Sequence, residues 1–261
     1  MRDYLYVILG LSIIFLATSL GASFVFLFKR GISNRLNQIF LGFSAGIMLS
    51  ASIFSLIMPA LETENNNIPI WLIVSLSILA GGLFIWGIDK LLPHLHKSGE
   101  EGIKNNKISK NTKMFLAVTI HNIPEGLSVG IAFGVVLANN NSFEALLGAL
   151  FLVIGIGIQN IPEGAVVSLM FKGEEVGNKK SFLYGMLSGI VEPIAGVIGL
   201  LLAFSIKAIM PYALSFSAGC MLYVIAEEMI PDMKGDSLNH YGVWSFFLGF
   251  IIMMILDVSL G

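Results

Sequence analysis

The sequence predicts an all-α membrane protein with eight transmembrane helices, and three observations lead to this fold class. Only 12% of the 261 residues are charged, against about 25% in an ordinary soluble domain. Apolar residues make up 56% of the chain, and the mean hydropathy is +0.84. Eight segments each stay apolar over the roughly 20 residues that a spanning helix requires. We therefore expect a single transmembrane domain over residues 1–261 with no large soluble part.

The predicted spans follow one another closely and leave one long connection, at about 93–112. The first span is too long for the apolar part of a signal peptide, and Lys29 and Arg30 follow it as a stop-transfer flank. Cys220 is the sole cysteine, so no disulfide can form within the chain. The spans are expected at about 4–28, 38–61, 70–92, 113–138, 143–171, 181–205, 208–230 and 242–260.

The second and seventh spans resemble each other in sequence. FSAGIMLSASIFSLIMPA, which begins at Phe43, aligns with FSAGCMLYVIAEEMIPD, which begins at Phe216, when one residue is skipped. Met48 and Met221 stand at the same offset, and a proline closes both stretches. Because these two spans cross the membrane in opposite directions, the similarity predicts an inverted repeat, a pattern found in transporters.

Positive charge is distributed unequally between the two sides of the predicted membrane. The side that holds the odd-numbered connections carries 13 Lys and Arg residues, including Lys90 at the end of the third span. The opposite side carries only Arg2 and Lys207. Because cytoplasmic loops are enriched in Lys and Arg, we expect a multi-pass protein of the cell membrane with both termini outside the cytoplasm. The long connection would then lie inside.

A six-residue motif occurs in both the fourth and the fifth span. HNIPEG begins at His121 and QNIPEG begins at Gln159. Residues four apart lie on one face of a helix, so His121 and Glu125 point in the same direction, as do Gln159 and Glu163. The two copies therefore predict matched pairs of polar side chains in two neighbouring helices.

Each copy of the motif also contains a proline. Pro124 and Pro162 have no N–H group, so the carbonyls of Ile120 and Ile158 are predicted to lose their helical partners and both helices to kink. In the sixth span, Glu192 directly precedes another proline. We therefore expect an acidic side chain beside a helix irregularity in three spans.

Three glutamates near the middle of a membrane are costly, at roughly 3 kcal/mol each on insertion scales. No Lys or Arg lies in the middle of any predicted span to compensate for them. Protons would neutralise the acids but would not account for the imidazole and amide groups beside them. A divalent metal would account for both, because histidine nitrogen and carboxylate oxygen are its usual ligands.

With these motifs the sequence resembles the ZIP family of divalent-metal transporters, and within it the bacterial GufA-like branch. The resemblance covers nearly the whole chain and implies import of zinc, with Fe, Mn and Cd as further cargoes, by a non-enzymatic protein without a prosthetic group. It also implies a possible homodimer and two adjacent metal positions. The first position would use His121, Glu125, Gln159, Glu163 and the thioether of Met48, and the second Asn122, Glu125, Asn160, Glu163 and Glu192.

The chain departs from relatives at two of these positions. Some members of the family carry aspartate where this chain has Asn160, and others carry histidine where it has Gln159. The first departure lowers the negative charge of the site and the second lowers its preference for zinc. The preferred metal therefore stays open.

Polar residues near the ends of the spans are further candidates. Glu62 follows the second span on the outer side, where it would collect cations at an entrance. Ser55 either lines the path or hydrogen-bonds to its own backbone. An exit or regulatory site on the inner side would comprise Glu227, Glu228, His94 and His96, although the histidine-bearing loop also fits a simple tether.

Other functions fit part of the pattern. An intramembrane metal-dependent hydrolase would use the same ligands, but the H-E-x-x-H pattern of zinc proteases is missing. A proton-coupled carrier of another solute would use the glutamates as relays, but it leaves His121 one turn before Glu125 unexplained. Export of metal would use the same site as import. No G-x-x-x-x-G-K-[ST] phosphate loop is present, so ATP is not expected to drive transport.

Overall fold

A computed structural model of the chain contains eight helical stretches long and apolar enough to cross a membrane in the part that it describes. The predicted all-α fold with eight spans is confirmed, and the observed spans differ from the predicted ones mainly by a few residues at their ends. The structure describes residues 2–28, 31–63, 68–91, 94–96, 99–101, 110–138, 143–173, 176–205, 209–234 and 239–260.

The first four spans occupy the N-terminal half of the chain. The third span is followed by two short antiparallel strands in the long connection, with His94 paired to Glu101 and His96 to Gly99. The elements are α1 (Arg2–Ala22) with a 3₁₀ turn (Ser23–Phe26), α2 (Asn34–Ala51) with a π-helical turn (Ser52–Ile57) and α3 (Met58–Leu61), α4 (Ile70–Leu91), β1 (His94–His96), β2 (Gly99–Glu101) and α5 (Lys110–Ala138).

The last four spans include one that the sequence analysis treats as continuous and the structure interrupts. The sixth span turns at Gly189 and Ile190, directly before the proline-containing start of its second helix. The elements are α6 (Phe143–Gly173), α7 (Asn178–Ser188), α8 (Val191–Ser205), α9 (Met210–Val224) with a π-helical turn (Ile225–Met229), α10 (Ile230–Lys234) and α11 (Tyr241–Leu260).

The spans pack as four close pairs. The most extensive contacts join α5 to α8, α2 to α11, α1 to α6, and α4 to α9. In span numbers these are the pairs 4 and 6, 2 and 8, 1 and 5, and 3 and 7. When span 1 is exchanged with span 6, span 2 with 7, span 3 with 8 and span 4 with 5, each of these four pairs becomes another of the four. The packing thus has the internal pseudo-two-fold symmetry expected of an inverted repeat.

Two glycines show this symmetry at atomic detail. A methyl group at Gly46 would lie 2.0 Å from the carbonyl oxygen of Phe246, and one at Gly219 would lie 2.1 Å from that of Ile78. Gly46 and Gly219 are the equivalent last residues of the two FSAG sequences. Small residues let helix backbones approach closely in membranes, so the repeated sequence produces the same close crossing twice.

The two π-helical turns also occupy equivalent places. Ser52 and Ile225 each begin a π turn nine residues after the start of FSAG, and the turns contain six and five residues. The one-residue difference between the two repeated sequences thus falls in the π turns, where both helices are irregular. Such π bulges are frequent at functional sites.

Candidate metal centre

The two motif copies lie in helices that continue through their prolines. α5 contains Pro124 and α6 contains Pro162 as internal residues. The predicted kinks and the loss of carbonyl partners at Ile120 and Ile158 stay predictions. All six polar motif residues are buried in the centre of the bundle: His121, Asn122, Glu125, Gln159, Asn160 and Glu163.

One hydrogen bond joins the two copies of the motif directly. The Gln159 side-chain amide donates from Nε2 to Glu125 Oε1 over 2.7 Å. Gln159 and Glu125 are predicted to share one metal position from different helices, and the structure brings them into contact. Glu125 therefore retains one carboxylate oxygen, Oε2, that has no hydrogen-bond partner among the described residues.

The third glutamate, Glu192, is held by two neutral donors. Thr18 donates its hydroxyl to Oε1 over 2.8 Å, and Asn160 donates Nδ2 to Oε2 over 2.8 Å. Glu192 also lies in the first turn of α8, where the positive end of the helix dipole favours a carboxylate. The turn at Gly189 creates this helix start in mid-span, which a continuous sixth helix would not provide.

The two motif asparagines make equivalent contacts. Asn122 donates Nδ2 to the carbonyl of Ser188 over 2.9 Å, and Asn160 donates Nδ2 to the carbonyl of Ile14 over 3.3 Å. The asparagines occupy the same place in the two motif copies, and their acceptors lie in the sixth and the first span, which the symmetry of the packing exchanges. Each amide nitrogen thus fixes a neighbouring helix. Each amide oxygen is buried without a hydrogen-bond partner in the described part of the chain.

His121 lies beside a residue that the sequence analysis assigns to the exit. Its Nε2 atom is 2.7 Å from Glu228 Oε1, and the Glu228 side chain is buried. Glu227, the next residue along the chain, is exposed. The π turn in the seventh span contains both glutamates, and only Glu228 belongs to the central cluster.

A set of unsatisfied oxygens distinguishes this cluster from ordinary helix packing. Leaving a buried polar group without a partner costs about 1–3 kcal/mol, so a bound cation would offset several such costs at once. Among the described residues, no three His, Cys, Asp or Glu side chains converge on a metal-binding point, so a complete site in this conformation needs ligands of another type, such as amide oxygens. The buried oxygens are Asn122 Oδ1, Glu125 Oε2, Gln159 Oε1, Asn160 Oδ1 and Glu163 Oε1.

The repeated FSAG sequences place serines against the motif helices. Ser44 donates its hydroxyl to the carbonyl of Gln159 over 3.1 Å, and Ser217 donates to the carbonyl of Pro124 over 3.0 Å. Met48 is fully buried one helical turn after Ser44 and thus lies on the same side of α2. Neither serine is predicted from the sequence, although both occupy the same position in the repeated FSAG sequence.

A cavity of about 600 Å³ opens at the end of the bundle that carries Glu62. Ser55, Glu62 and Asp257 line it together with apolar residues of the second, fourth, fifth, seventh and eighth spans. Ser55 donates its hydroxyl to Asp257 Oδ1 over 2.7 Å, so it does not simply hydrogen-bond to its own backbone. The sequence alone leaves Asp257 unassigned, although it is the only acidic residue of α11.

The inner-side histidines are placed only by their backbone. His94 and His96 begin and end β1, in the connection after the third span. Residues 92–93, 97–98 and 102–109, which make up most of the rest of this connection, lie outside the described residues. The suggested regulatory role of this loop therefore stays a prediction.

Comparison with known proteins identifies the family. The ZIP zinc transporter family profile matches residues 4–114 and 112–257, which is nearly the whole chain. The chain belongs to the ZIP family. Its relatives in this family include the zinc transporter GufA of Myxococcus xanthus, which is 34% identical over 94% of this chain and 95% of the relative. The zinc transporter ZIP11 of Xenopus tropicalis is 32% identical over 94% of both chains. The zinc transporter ZIPB of Bordetella bronchiseptica is 31% identical over 98% of this chain and 82% of its own length.

Membership of the ZIP family confirms the resemblance drawn from the two motifs. It also confirms that the chain is a transporter rather than an enzyme, because the family consists of transporters. The eight apolar helices agree with a multi-pass membrane protein. The intramembrane hydrolase is thereby excluded as the main function.

Proposed function

We propose that this ZIP protein carries zinc into the cytoplasm, with Fe, Mn and Cd as further cargoes, through the cluster on α5, α6 and α8. The observation that carries this proposal is the set of five buried motif oxygens without hydrogen-bond partners in the described part of the chain. Buried oxygens of this kind are costly unless a hydrogen-bond donor or a cation binds them. Zinc is placed first because the relatives named above are zinc transporters.

The metal would occupy two adjacent positions that share two carboxylates. Glu125 and Glu163 each have an oxygen available and come from different motif copies, which supports a bridging role. The first position is completed by the side chains of His121, Gln159 and Met48. The second is completed by the amide oxygens of Asn122 and Asn160 and by Glu192.

The two ends of the path follow from the residues on either side of the cluster. Cations would enter through the cavity lined by Ser55, Glu62 and Asp257, because this cavity has carboxylates and opens at one end of the bundle. They would leave past Glu228, whose contact with His121 links the cluster to the opposite part of the seventh span. Conduction requires binding that strips water but still permits release, which mixed amide, imidazole and carboxylate ligands provide.

We place the protein in the cell membrane as one transporter domain, with both termini outside and the loop at about 93–112 inside, because positive charge is concentrated on that side. Homodimer formation belongs to the same proposal. The pseudo-two-fold packing supports transport by movement of one set of helices against another.

The test is uptake of zinc into proteoliposomes that contain a metal-sensing dye. We expect saturable uptake by the purified wild type and its near-complete loss in Glu163→Ala, which removes a ligand from both positions. Ser19→Ala is the matched control, because the Ser19 hydroxyl donates to the carbonyl of Phe15 in its own helix.

Failure of the folded wild type to take up zinc, iron, manganese or cadmium would refute the proposal. Metal-independent uptake of another solute, driven by a proton gradient and lost in Glu163→Ala, would instead support the proton-coupled carrier. Zinc efflux without influx under equal and opposite gradients would refute the proposed direction alone.

A further inference from the structure

Thr18 connects the first span to the cluster and has no role in the sequence analysis. Its side chain is 1% exposed, and its hydroxyl oxygen lies 2.8 Å from Glu192 Oε1 and 3.3 Å from the carbonyl of Ile14. One hydroxyl has one proton to donate, and bonds to a charged acceptor are shorter and stronger than those to a neutral one. The shorter contact therefore identifies Glu192 as the acceptor.

The local packing holds Thr18 in this place. A methyl group at Gly189 would lie 2.8 Å from both Cβ and Cγ2 of Thr18 and 3.0 Å from Glu192 Oε1. The absence of a side chain at Gly189 thus lets the first span approach the sixth within hydrogen-bonding distance of the carboxylate. The contact depends on a specific small residue and on a buried hydroxyl.

Thr18 and Glu192 occupy equivalent places in the internal repeat. Thr18 precedes Glu192 by 174 residues, the same offset that relates Ile14 to Ser188, the carbonyl partners of the two motif asparagines. Thr18 thus occupies in the first half the position that Glu192 occupies in the second. One half contributes a carboxylate and the other contributes the donor that holds it.

We propose that Thr18 is the positioning residue for Glu192 and thereby sets the affinity of the second metal position; this role rests on the proposed function. Thr18 and Asn160 each donate to a different oxygen of Glu192. A carboxylate oxygen has two lone-pair directions, so each oxygen accepts its hydrogen bond and still has one direction available to a cation. Hydrogen-bond partners of metal ligands fix the ligand's orientation, and their loss commonly weakens metal binding 10- to 100-fold.

The experiment is a calorimetric titration of the purified full-length protein with zinc alone. Thr18→Val keeps the shape of the side chain and removes the donor. We expect it to weaken the second zinc equivalent about 10- to 100-fold and to leave the first unchanged. Thr18→Ser, which restores the hydroxyl, should recover wild-type binding. Thr119→Val is the matched control, because the Thr119 hydroxyl donates to the carbonyl of Phe115 in its own helix.

A double variant separates positioning from a merely structural role. If Thr18 acts through Glu192, Thr18→Val adds nothing to the loss caused by Glu192→Gln, whereas independent effects on packing would add to it. Thr18→Ala provides the same comparison should the valine variant not fold.

Three results would overturn the inference. If Thr18→Val binds both zinc equivalents with wild-type affinity while Glu192→Gln loses the second, the role of Thr18 is refuted and the two-position site is not. Equal weakening of both equivalents assigns Thr18 to packing. A wild type that binds no zinc, or a single equivalent insensitive to Glu192→Gln, refutes the proposed two-position site and the role of Thr18 with it.

Discussion

Substitution of Gly126 by alanine would separate two helices that carry metal ligands. Gly126 follows Glu125 on α5, and a methyl group there would lie 2.1 Å from the carbonyl oxygen of Glu192 and 2.6 Å from its Cα atom. Ordinary contacts begin at about 3.4 Å, so α5 and α8 would have to move apart by about 1.3 Å. The obstructing atoms are backbone, which cannot rotate away as a flexible side chain would.

The displacement acts directly on the proposed second metal position, which needs Glu125 and Glu192 at a fixed separation. Misplacement of a reacting group by 1 Å can cost about 100-fold in rate. We therefore expect Gly126→Ala to lower zinc uptake in proteoliposomes about 100-fold. Gly87→Ala on α4 is the control, because a methyl group at Gly87 meets no atom within 4 Å.

The Gly87→Ala control is expected to be at least as stable as the wild type. Alanine in an open helical position stabilises a helix by about 0.5–1 kcal/mol relative to glycine. Gly87→Ala should therefore unfold at the wild-type temperature or slightly above it and transport zinc normally. Wild-type uptake by Gly126→Ala, with the folded fraction verified by gel filtration, would refute the close helix crossing on which the expected loss depends.

The remaining predictions concern individual side chains. Glu125→Ala should abolish zinc uptake at all concentrations, whereas Glu192→Ala should impair only the second position; equal loss in both variants at every metal concentration would indicate one joint site. Gln159→His should tighten zinc binding relative to manganese about 10-fold because imidazole replaces an amide ligand, and unchanged competition between the two metals would refute this role. Asp257→Asn should raise the KM for zinc several-fold with little change in maximal uptake, because it removes charge from the outer cavity and leaves the central cluster intact; an unchanged KM would remove Asp257 from the path.

The sequence predicts the fold and much of the candidate site because its signals are local. Eight long apolar segments are sufficient to indicate the spans, and residues four apart in a helix are sufficient to pair His121 with Glu125. The repeat of FSAG predicts the symmetry that appears in the packing of Gly46 and Gly219. These signals need no knowledge of which helices touch.

The parts that escaped prediction depend on contacts between distant segments. Thr18 and Glu192 are separated by 174 residues, and nothing in the first span marks Thr18 among its other small polar residues. The assignment of Glu228 to the central cluster depends on how the seventh helix faces His121 after its π turn. The role of Asp257 depends on its contact with Ser55, which lies 202 residues earlier in the chain.

The pseudo-two-fold symmetry bears on the equilibrium between any two opposite-facing conformations of the transporter. If each half adopts the other half's conformation when the transporter changes the side that it faces, the helix contacts common to both halves occur in both states. These contacts then cancel in the free-energy difference between the two states. The difference that is left comes from positions where the halves differ, such as Thr18 against Glu192 and Gln159 against His121. Since 1.4 kcal/mol corresponds to a tenfold population ratio and one hydrogen bond contributes about 1 kcal/mol, a few polar side chains are sufficient to decide which way the resting protein faces.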